Sequence, residues 1–272
     1  MDVNQFREIK DGDCVSRVFN LPLGTSDGDP MHMDAPPTSD WHPLPERFLE
    51  GIDFASKFIG TAKGRSAGWR KVEFAHLTSG KVFATNNLLI VEHDIGRCDL
   101  ACTLTLKQVR MIKAFGATPT HAVVVGETTS ERILHFKWAD GNRLSLRHSF
   151  DPASELSDLF DSYDWEGFAH VDDEWRAQVV GHFSFKPLRD NDGLLTVYPD
   201  RITGGIFDNR PDTELLIETH SGREVAFEQA TFLKAVKIAS GMKFIHDGDH
   251  SRLLFKGEHI RGIAASRQRV QS

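Results

Sequence analysis

Long apolar runs are missing from this 272-residue chain. No stretch approaches the roughly 18 consecutive apolar residues that a membrane-spanning helix requires. The start of the chain, Met1 to Gln5, is polar and acidic and lacks the basic and apolar segments of a secretory signal. We therefore expect a cytoplasmic protein that does not enter a membrane. Hydrophobic residues still make up 40% of the chain, which is enough to build the cores of two domains of about 100 to 150 residues each.

Cysteine is scarce, and familiar catalytic motifs are absent. Cys14, Cys98 and Cys102 are an odd number without the spacing of a disulfide framework, which favours reduced thiols. The sequence contains no Gly-x-Ser-x-Gly motif, no phosphate-binding glycine-rich loop and no His-Glu-x-x-His motif. These absences predict a protein that is not an enzyme and that needs no cofactor.

One segment could hold a metal ion. The run His246-Asp247-Gly248-Asp249-His250 offers imidazole and carboxylate groups, which suit several divalent ions and would fit a metal-dependent hydrolase. The central Asp-Gly pair, however, lies between two β-favouring runs, so a hairpin turn explains the segment without a ligand. His93, Cys98 and Cys102 lack a fourth zinc ligand at a usual spacing. We expect no metal and keep the hydrolase as the lesser alternative.

A faint internal repeat appears when the chain is shifted by 124 positions. The shift aligns Asp40-Trp41 with Asp164-Trp165, and it aligns Gly80-Lys81-Val82-Phe83 with Gly204-Gly205-Ile206-Phe207. It also aligns Val109-Arg110-Met111-Ile112-Lys113 with Leu233-Lys234-Ala235-Val236-Lys237. Three matches at one offset predict two similar structural units. We place an amino-terminal hairpin and linker at 1–38, the first domain at 39–152 and the second at 153–272.

Hydrophobic periodicity predicts the same order of elements in both units. Apolar spacing predicts helices over 45–60 and 105–115 in the first unit and over 173–183 and 228–240 in the second. The β-favouring runs lie at 72–77, 81–85, 88–92, 122–126, 133–138 and 143–147, and at 194–198, 204–207, 215–219, 243–246, 251–256 and 259–264. Each unit is therefore predicted to be α+β, with two helices packed on an antiparallel sheet.

Positive charge is concentrated on one helix of each unit, although the formal net charge of the chain is -7. Lys107, Arg110 and Lys113 are spaced to share one helical face, and Lys234 and Lys237 do the same in the second unit. No carboxylate occurs between 104 and 116 or between 229 and 241. An ordinary solvated face mixes charges of both signs, so a basic face in both repeats favours binding to a polyanion.

These residues resemble the DNA polymerase sliding clamps, which include the bacterial DNA polymerase III beta subunit and clamp-like bacteriophage proteins. The run 80–90, Gly-Lys-Val-Phe-Ala-Thr-Asn-Asn-Leu-Leu-Ile, is similar to a bacterial strand pair that ends in Ala-Thr-Asp-Gly-His-Arg-Leu. The order of elements that follows, the run 147–152 and the strands and tail from 253 to 265 are also similar to the family pattern. The resemblance covers about 41 to 268.

The resemblance implies a non-enzymatic ring that encircles double-stranded DNA without reading its sequence and tethers a polymerase to it. Clamp rings contain six such domains, so a chain with two domains implies a homotrimer; a clamp-fold adaptor that does not encircle DNA is the alternative. The implied partners are DNA, a DNA polymerase, a clamp loader and further copies of the chain. The implied pore residues are Lys107, Arg110, Lys113, Lys234 and Lys237, with Lys57 and Arg176 as weaker candidates.

The resemblance also implies an apolar groove that binds a short peptide of the polymerase or loader. The matching positions are Thr85, Leu88, Ile90, Pro152, Ile263 and Ala265. Several of these side chains could equally be core residues of their strands. The residues Asn86, Asn87, Leu88 and Leu89 replace the Asp-Gly-His-Arg of the family pattern, and the tail lacks its Met-Pro-Met ending. We therefore expect a more apolar groove that prefers an aliphatic or aromatic anchor.

Overall fold

A computed structural model describes residues 6–11, 14–19, 40–60, 71–126, 132–148, 151–184, 193–207, 210–248 and 250–267. These residues form two compact units. Unit 1 contains the chain up to residue 84 together with 93–159, and unit 2 contains 85–92 together with 160 onward. No helix in the described part of the chain is both long and apolar enough to cross a membrane.

The chain begins with a hairpin of β1 (Phe6–Asp11) and β2 (Cys14–Phe19), paired antiparallel along their whole length. Cα atoms of β2 lie within 8 Å of Cα atoms of a later strand, Arg143–Arg147. The sequence predicted this hairpin from the Asp-Gly pair at 11–12.

The first repeat follows in the order strand, helix, four strands, helix, three strands. Its elements are β3 (His42–Pro43), α1 (Phe48–Ser56), β4 (Phe74–Thr78), β5 (Lys81–Thr85), β6 (Leu89–Asp94), β7 (Cys102–Thr105), α2 (Leu106–Lys113), β8 (His121–Val125), β9 (Ile133–Lys137) and β10 (Arg143–Arg147). One sheet of unit 1 has the order β10-β9-β8-β3, and β4 pairs antiparallel with both β5 and β7.

A connecting helix, α3 (Ser154–Asp161), leads to a second repeat with the same order of elements. These are β11 (Ala169–His170), α4 (Asp173–Phe183), β12 (Leu194–Val197), β13 (Arg201–Phe207), β14 (Arg210–Leu216), β15 (Val225–Glu228), α5 (Gln229–Ile238), β16 (Gly241–Asp247), β17 (His250–Gly257) and β18 (Ile260–Ala265). One sheet of unit 2 has the order β14-β13-β12-β15, and the strands β11, β16, β17 and β18 follow one another in a second sheet.

The apolar faces that periodicity predicted are the buried ones. Phe48 and Ile52 of α1 and Val109 and Ile112 of α2 are at most 1% exposed, and α1 packs beside α2. In unit 2, α4 packs beside α5, which buries Phe232 and other apolar side chains. Each unit is therefore α+β, with a pair of helices and antiparallel strands, as the sequence predicted.

Candidate nucleic-acid and peptide interfaces

Helix α2 is fixed at its amino end so that its basic face is exposed. Thr105 and Gln108 form a capping box, in which the Thr105 hydroxyl accepts a hydrogen bond from the Gln108 amide and the Gln108 side chain accepts one from the Thr105 amide. The side-chain amide of Gln108 also donates to the carbonyl oxygen of Arg147 over 2.7 Å, which ties the helix to β10. Lys107, Arg110 and Lys113 are exposed, as their spacing predicted.

Helix α5 repeats this arrangement in unit 2. Gln229, at its amino end, donates from its side chain to the carbonyl oxygen of Phe183 over 2.6 Å, which ties α5 to the end of α4. Phe232, Leu233 and Val236 are buried, while Lys234 and Lys237 are exposed. Both units thus present an exposed row of cations on the second helix of the repeat.

A carboxylate on α1 compensates one cation of the basic face of α2. The carboxylate of Asp53, on α1, forms an ion pair with Lys113 and a second with Lys57 at 3.2 Å. Partial burial opposes ionisation of Asp53, but the hydrogen bonds from Lys113 and Lys57 outweigh it and lower the pKa of this carboxyl group. By contrast, Lys107, Arg110 and Lys237 form no ion pair with any residue that the structure describes.

The two weaker pore candidates are both engaged in local contacts. Lys57 follows α1, is exposed and pairs with Asp53. Arg176 is partly buried on α4, where its guanidinium donates to the carbonyl oxygen of Ala239 over 2.7 Å and pairs with Asp173. This arginine holds the end of α5 to α4, a role that spacing along one helix does not reveal.

The predicted peptide positions lie on and beside a sharp turn between β5 and β6. The Asn86 side chain accepts hydrogen bonds from the amides of Leu88 and Leu89 over 3.0 and 2.9 Å, and the Thr85 hydroxyl accepts one from the amide of Asn87 over 3.0 Å. Asn87 has a φ of 77°, in the left-handed region that asparagine tolerates. The turn leaves Leu88 and Ile90 half-buried and Thr85 buried.

Unit 2 brings five of the six peptide positions together. The amide of Ala265 donates to the carbonyl oxygen of Leu88 over 2.8 Å, and Arg261 forms a bidentate ion pair with Glu92 at 2.7 and 2.8 Å. These two contacts set an antiparallel register between β6 and β18 that places Ile90 opposite Ile263. Thr85 lies at the entrance to the turn. Pro152 is half-buried in unit 1, shortly before α3.

Sequence reasoning missed the charged pair beside this region. The Glu92 side chain is 4% exposed, and the Arg261 guanidinium compensates its buried carboxylate through the bidentate ion pair. The guanidinium also lies over the rings of Phe160 and Trp165, at 5.4 and 4.9 Å from their centroids. A glutamate inside the β-favouring run 88–92 was the available indication, because a buried strand carries a charge only when it is paired.

The strands β16 and β17 form the hairpin that the sequence predicted at the segment considered for a metal ion; Asp249 of that segment lies outside the described residues. Asp247 pairs with His250 where β16 meets β17. The ring of His246 contacts the hydroxyl of Ser251 at 2.9 Å and the carbonyl oxygen of Ser221 at 2.6 Å. Among the described residues, no group of three histidine, cysteine or carboxylate side chains is placed to hold a metal ion.

Comparison with known proteins finds similarity in structure alone. No protein-family model and no curated protein sequence matches the chain. The DNA polymerase sliding clamp of Bacillus subtilis superimposes with a TM-score of 0.60 at 13% identity, over 97% of this chain and 73% of that one. The clamp of Caulobacter crescentus gives a TM-score of 0.62 at 12% identity, over 96% and 75%. The Helicobacter pylori beta clamp bound to a DNA ligase peptide gives 0.60 at 9% identity, over 98% and 75%.

These matches agree with the repeated order of strands and helices and with the pair of helices in each unit. They cover nearly all of this chain, so the likeness is not confined to one repeat. The chain therefore has the α+β fold of the bacterial DNA polymerase sliding clamps.

Proposed function

We propose that this protein is a sliding clamp, which encircles duplex DNA and tethers a replicative polymerase to it. The observation that carries the proposal is the exposed, carboxylate-free row of cations on the second helix of both repeats of a clamp fold. Lysine and arginine side chains bind phosphates irrespective of base sequence, which leaves a ring free to slide. The acidic remainder of the chain disfavours DNA binding elsewhere on the surface.

A ring requires copies of the chain to join, and the repeat suggests where. In unit 2, β18 lies beside β6. By order along the chain, β10 is the counterpart of β18 and β14 is the counterpart of β6. We therefore expect β14 of one copy to pair with β10 of the next, where it would displace the β1–β2 hairpin that lies beside β10, and three chains to supply six domains.

Properties of β14 support this arrangement. It pairs only with β13 among the described strands, so it is an edge strand with unpaired backbone groups. Leu216, at its end, is 75% exposed and is the one exposed large apolar side chain in the described part of the chain. An exposed leucine on an open edge favours burial against another copy.

The partner groove is proposed at the turn formed by 85–90, with Ile263 and Ala265 on β18, all in unit 2; Pro152 lies in unit 1 and stays a prediction from the sequence. Half-buried Leu88 and Ile90 offer apolar surface for an aliphatic or aromatic anchor of a polymerase or loader peptide. A peptide of DNA ligase occupies the Helicobacter pylori clamp, which favours a short linear peptide as the partner here as well.

The native mass tests the ring. Three chains of 30.5 kDa give about 91.5 kDa by light scattering. A monomer at micromolar concentration would overturn the ring and favour a clamp-fold adaptor that does not encircle DNA. A dimer would contradict the six-domain ring.

Retention on circular duplex DNA tests the pore. The double variant Arg110→Glu with Lys234→Glu reverses charge at equivalent positions of both repeats, and we expect it to weaken retention equally for all DNA sequences and to flatten its salt dependence. The matched control, Arg97→Glu with Arg267→Glu, makes the same change in net charge at exposed positions outside the helices. Equal effects of the two double variants would remove α2 and α5 from the pore.

The variant Leu88→Asp tests the groove. It places a charge in the proposed apolar site but leaves the backbone bond between Leu88 and Ala265 available, so peptide binding should be lost while the native mass is unchanged. Normal binding of a polymerase peptide to this variant would place the groove elsewhere.

A further inference from the structure

His76 joins three segments of unit 1 through its imidazole ring. The residue lies on β4 and is 2% exposed. Its Nε2 lies 2.7 Å from the carbonyl oxygen of Lys71, in the turn before β4. Its Nδ1 accepts a hydrogen bond from the amide of Ala153 over 3.1 Å, immediately before α3.

Both contacts are possible only in the neutral tautomer of the ring that carries its proton on Nε2. The Ala153 amide can only donate, so Nδ1 must be unprotonated, and the Lys71 carbonyl can only accept, so Nε2 must carry the proton. Protonation of Nδ1 would place two N–H groups against each other and leave the Ala153 amide without its acceptor. Only the neutral imidazole satisfies both segments.

The surroundings favour the neutral ring. Burial lowers the pKa of His76 below its usual value, and the Lys71 charge acts in the same direction. The Lys71 backbone contact and the carboxylate of Glu155, in the first turn of α3, act in the opposite direction. Lys71 and Glu155 pair with each other at 3.0 Å. The neighbours of His76 on β5 and β7, Phe83 and Thr103, carry no charge.

We infer that His76 is a positioning residue, whose neutral ring holds the backbone at Ala153 and thereby the adjacent Pro152. The geometry supports this because Ala153 lies 77 positions away in sequence and is joined to β4 by this bond. Protonation of His76 releases this bond, so that the chain immediately before α3 loosens in acid.

Two substitutions separate the two contacts of the ring. In His76→Asn the amide oxygen takes the place of Nδ1, so the acceptor for Ala153 is kept and the contact with Lys71 is lost. In His76→Gln the terminal amide takes the place of Nε2, so the Lys71 contact is kept and the Ala153 acceptor is lost. Lys71→Ala removes the exposed ion pair with Glu155 but leaves the ring contacts, because its carbonyl oxygen belongs to the backbone.

Hydrogen exchange of the Ala153 amide in the full chain, corrected for the intrinsic rate at each pH, tests the inference. Loss of one hydrogen bond should reduce protection about fivefold in His76→Gln, with little change in His76→Asn or Lys71→Ala. Protection in the unsubstituted chain should fall in acid, at a pH below the ordinary pKa of histidine because the pKa of His76 is lowered, whereas His76→Asn should show no such fall. Equal protection in His76→Gln and the unsubstituted chain, or a pH dependence that persists in His76→Asn, would refute it.

Discussion

Asp53 restrains the proposed DNA interface of unit 1, and removing its charge should strengthen DNA binding. Its carboxylate pairs with both Lys57 and Lys113, so a phosphate that binds either lysine must first displace it. The repeat places Ala177 at the equivalent position in unit 2, where a side chain cannot compensate Lys237. We therefore expect Asp53→Asn to increase DNA affinity, and Ala177→Asp to decrease it.

The expected magnitude follows from counterion release. Each additional lysine that contacts a phosphate steepens the dependence of log K on log salt by about 0.9. Asp53→Asn frees two lysines, so the slope should become steeper by about 0.9 to 1.8 per chain, since one or both can reach a phosphate. The cost to folding should be small, at about 0.2 to 1 kcal/mol, because Lys57 and Lys113 are exposed.

Salt titration of binding to a duplex, measured by fluorescence anisotropy, checks this prediction. Asp53→Asn should show tighter binding and a steeper slope, and Ala177→Asp weaker binding and a shallower slope. Circular dichroism should show that both variants remain folded. The reasoning would be refuted if Asp53→Asn left the slope unchanged, because the released lysines would then lie away from the DNA.

The remaining predictions concern stability and assembly. Arg261→Ala removes the bidentate ion pair with the buried Glu92 carboxylate and should reduce the free energy of unfolding by about 3 kcal/mol in urea titrations; an unchanged midpoint would show that the ion pair does not stabilise the fold. Gly80→Ala should cost about 1 to 3 kcal/mol in the same assay, because its φ is 73° and a Cβ would lie 2.1 Å from a backbone oxygen. Burial lowers the pKa of His148 in the folded state. As the pH drops below about 6.5 the unfolded state therefore binds a proton that the folded state does not, and the free energy of unfolding should fall by at most about 1.4 kcal/mol per pH unit. His148→Gln should lessen this fall. Deletion of 1–38 removes the hairpin from beside β10 and should favour assembly by sedimentation analysis, whereas weaker assembly would make the hairpin part of the junction.

Local pattern predicted most of the elements because helices and half-buried strands carry their own periodicity. The predicted helix 173–183 matches α4 at both ends, and the strands 81–85 and 143–147 match β5 and β10. The shift of 124 positions anticipated the repeated order of elements. The basic faces of α2 and α5 could also be predicted from the sequence, because cations three residues apart lie on one side of a helix whatever surrounds it.

Strands that are short or that lie at the edge of a sheet were harder to predict from the sequence. The strands β7 and β15 are short, at four residues each, and run directly into helices, so neither showed a separate alternating pattern. The prediction placed a strand at 215–219, whereas β14 occupies Arg210–Leu216. Pro211 and Asp212 are typical of turns, but an edge strand tolerates proline because one side of its backbone needs no partner. Edge position is a property of the sheet and not of the segment.

The amino-acid sequence by itself determined the two α+β units and the rows of cations, because both follow from the spacing of residues along single elements. The contacts that modulate those features were decided by tertiary structure alone. Asp53 reaches Lys113 only because α1 packs beside α2, and His76 meets Ala153 only because the fold brings the segment before α3 to β4. Such pairs join residues 60 and 77 positions apart, and a periodic pattern records nothing about which distant side chains the packing of helices and strands will bring together.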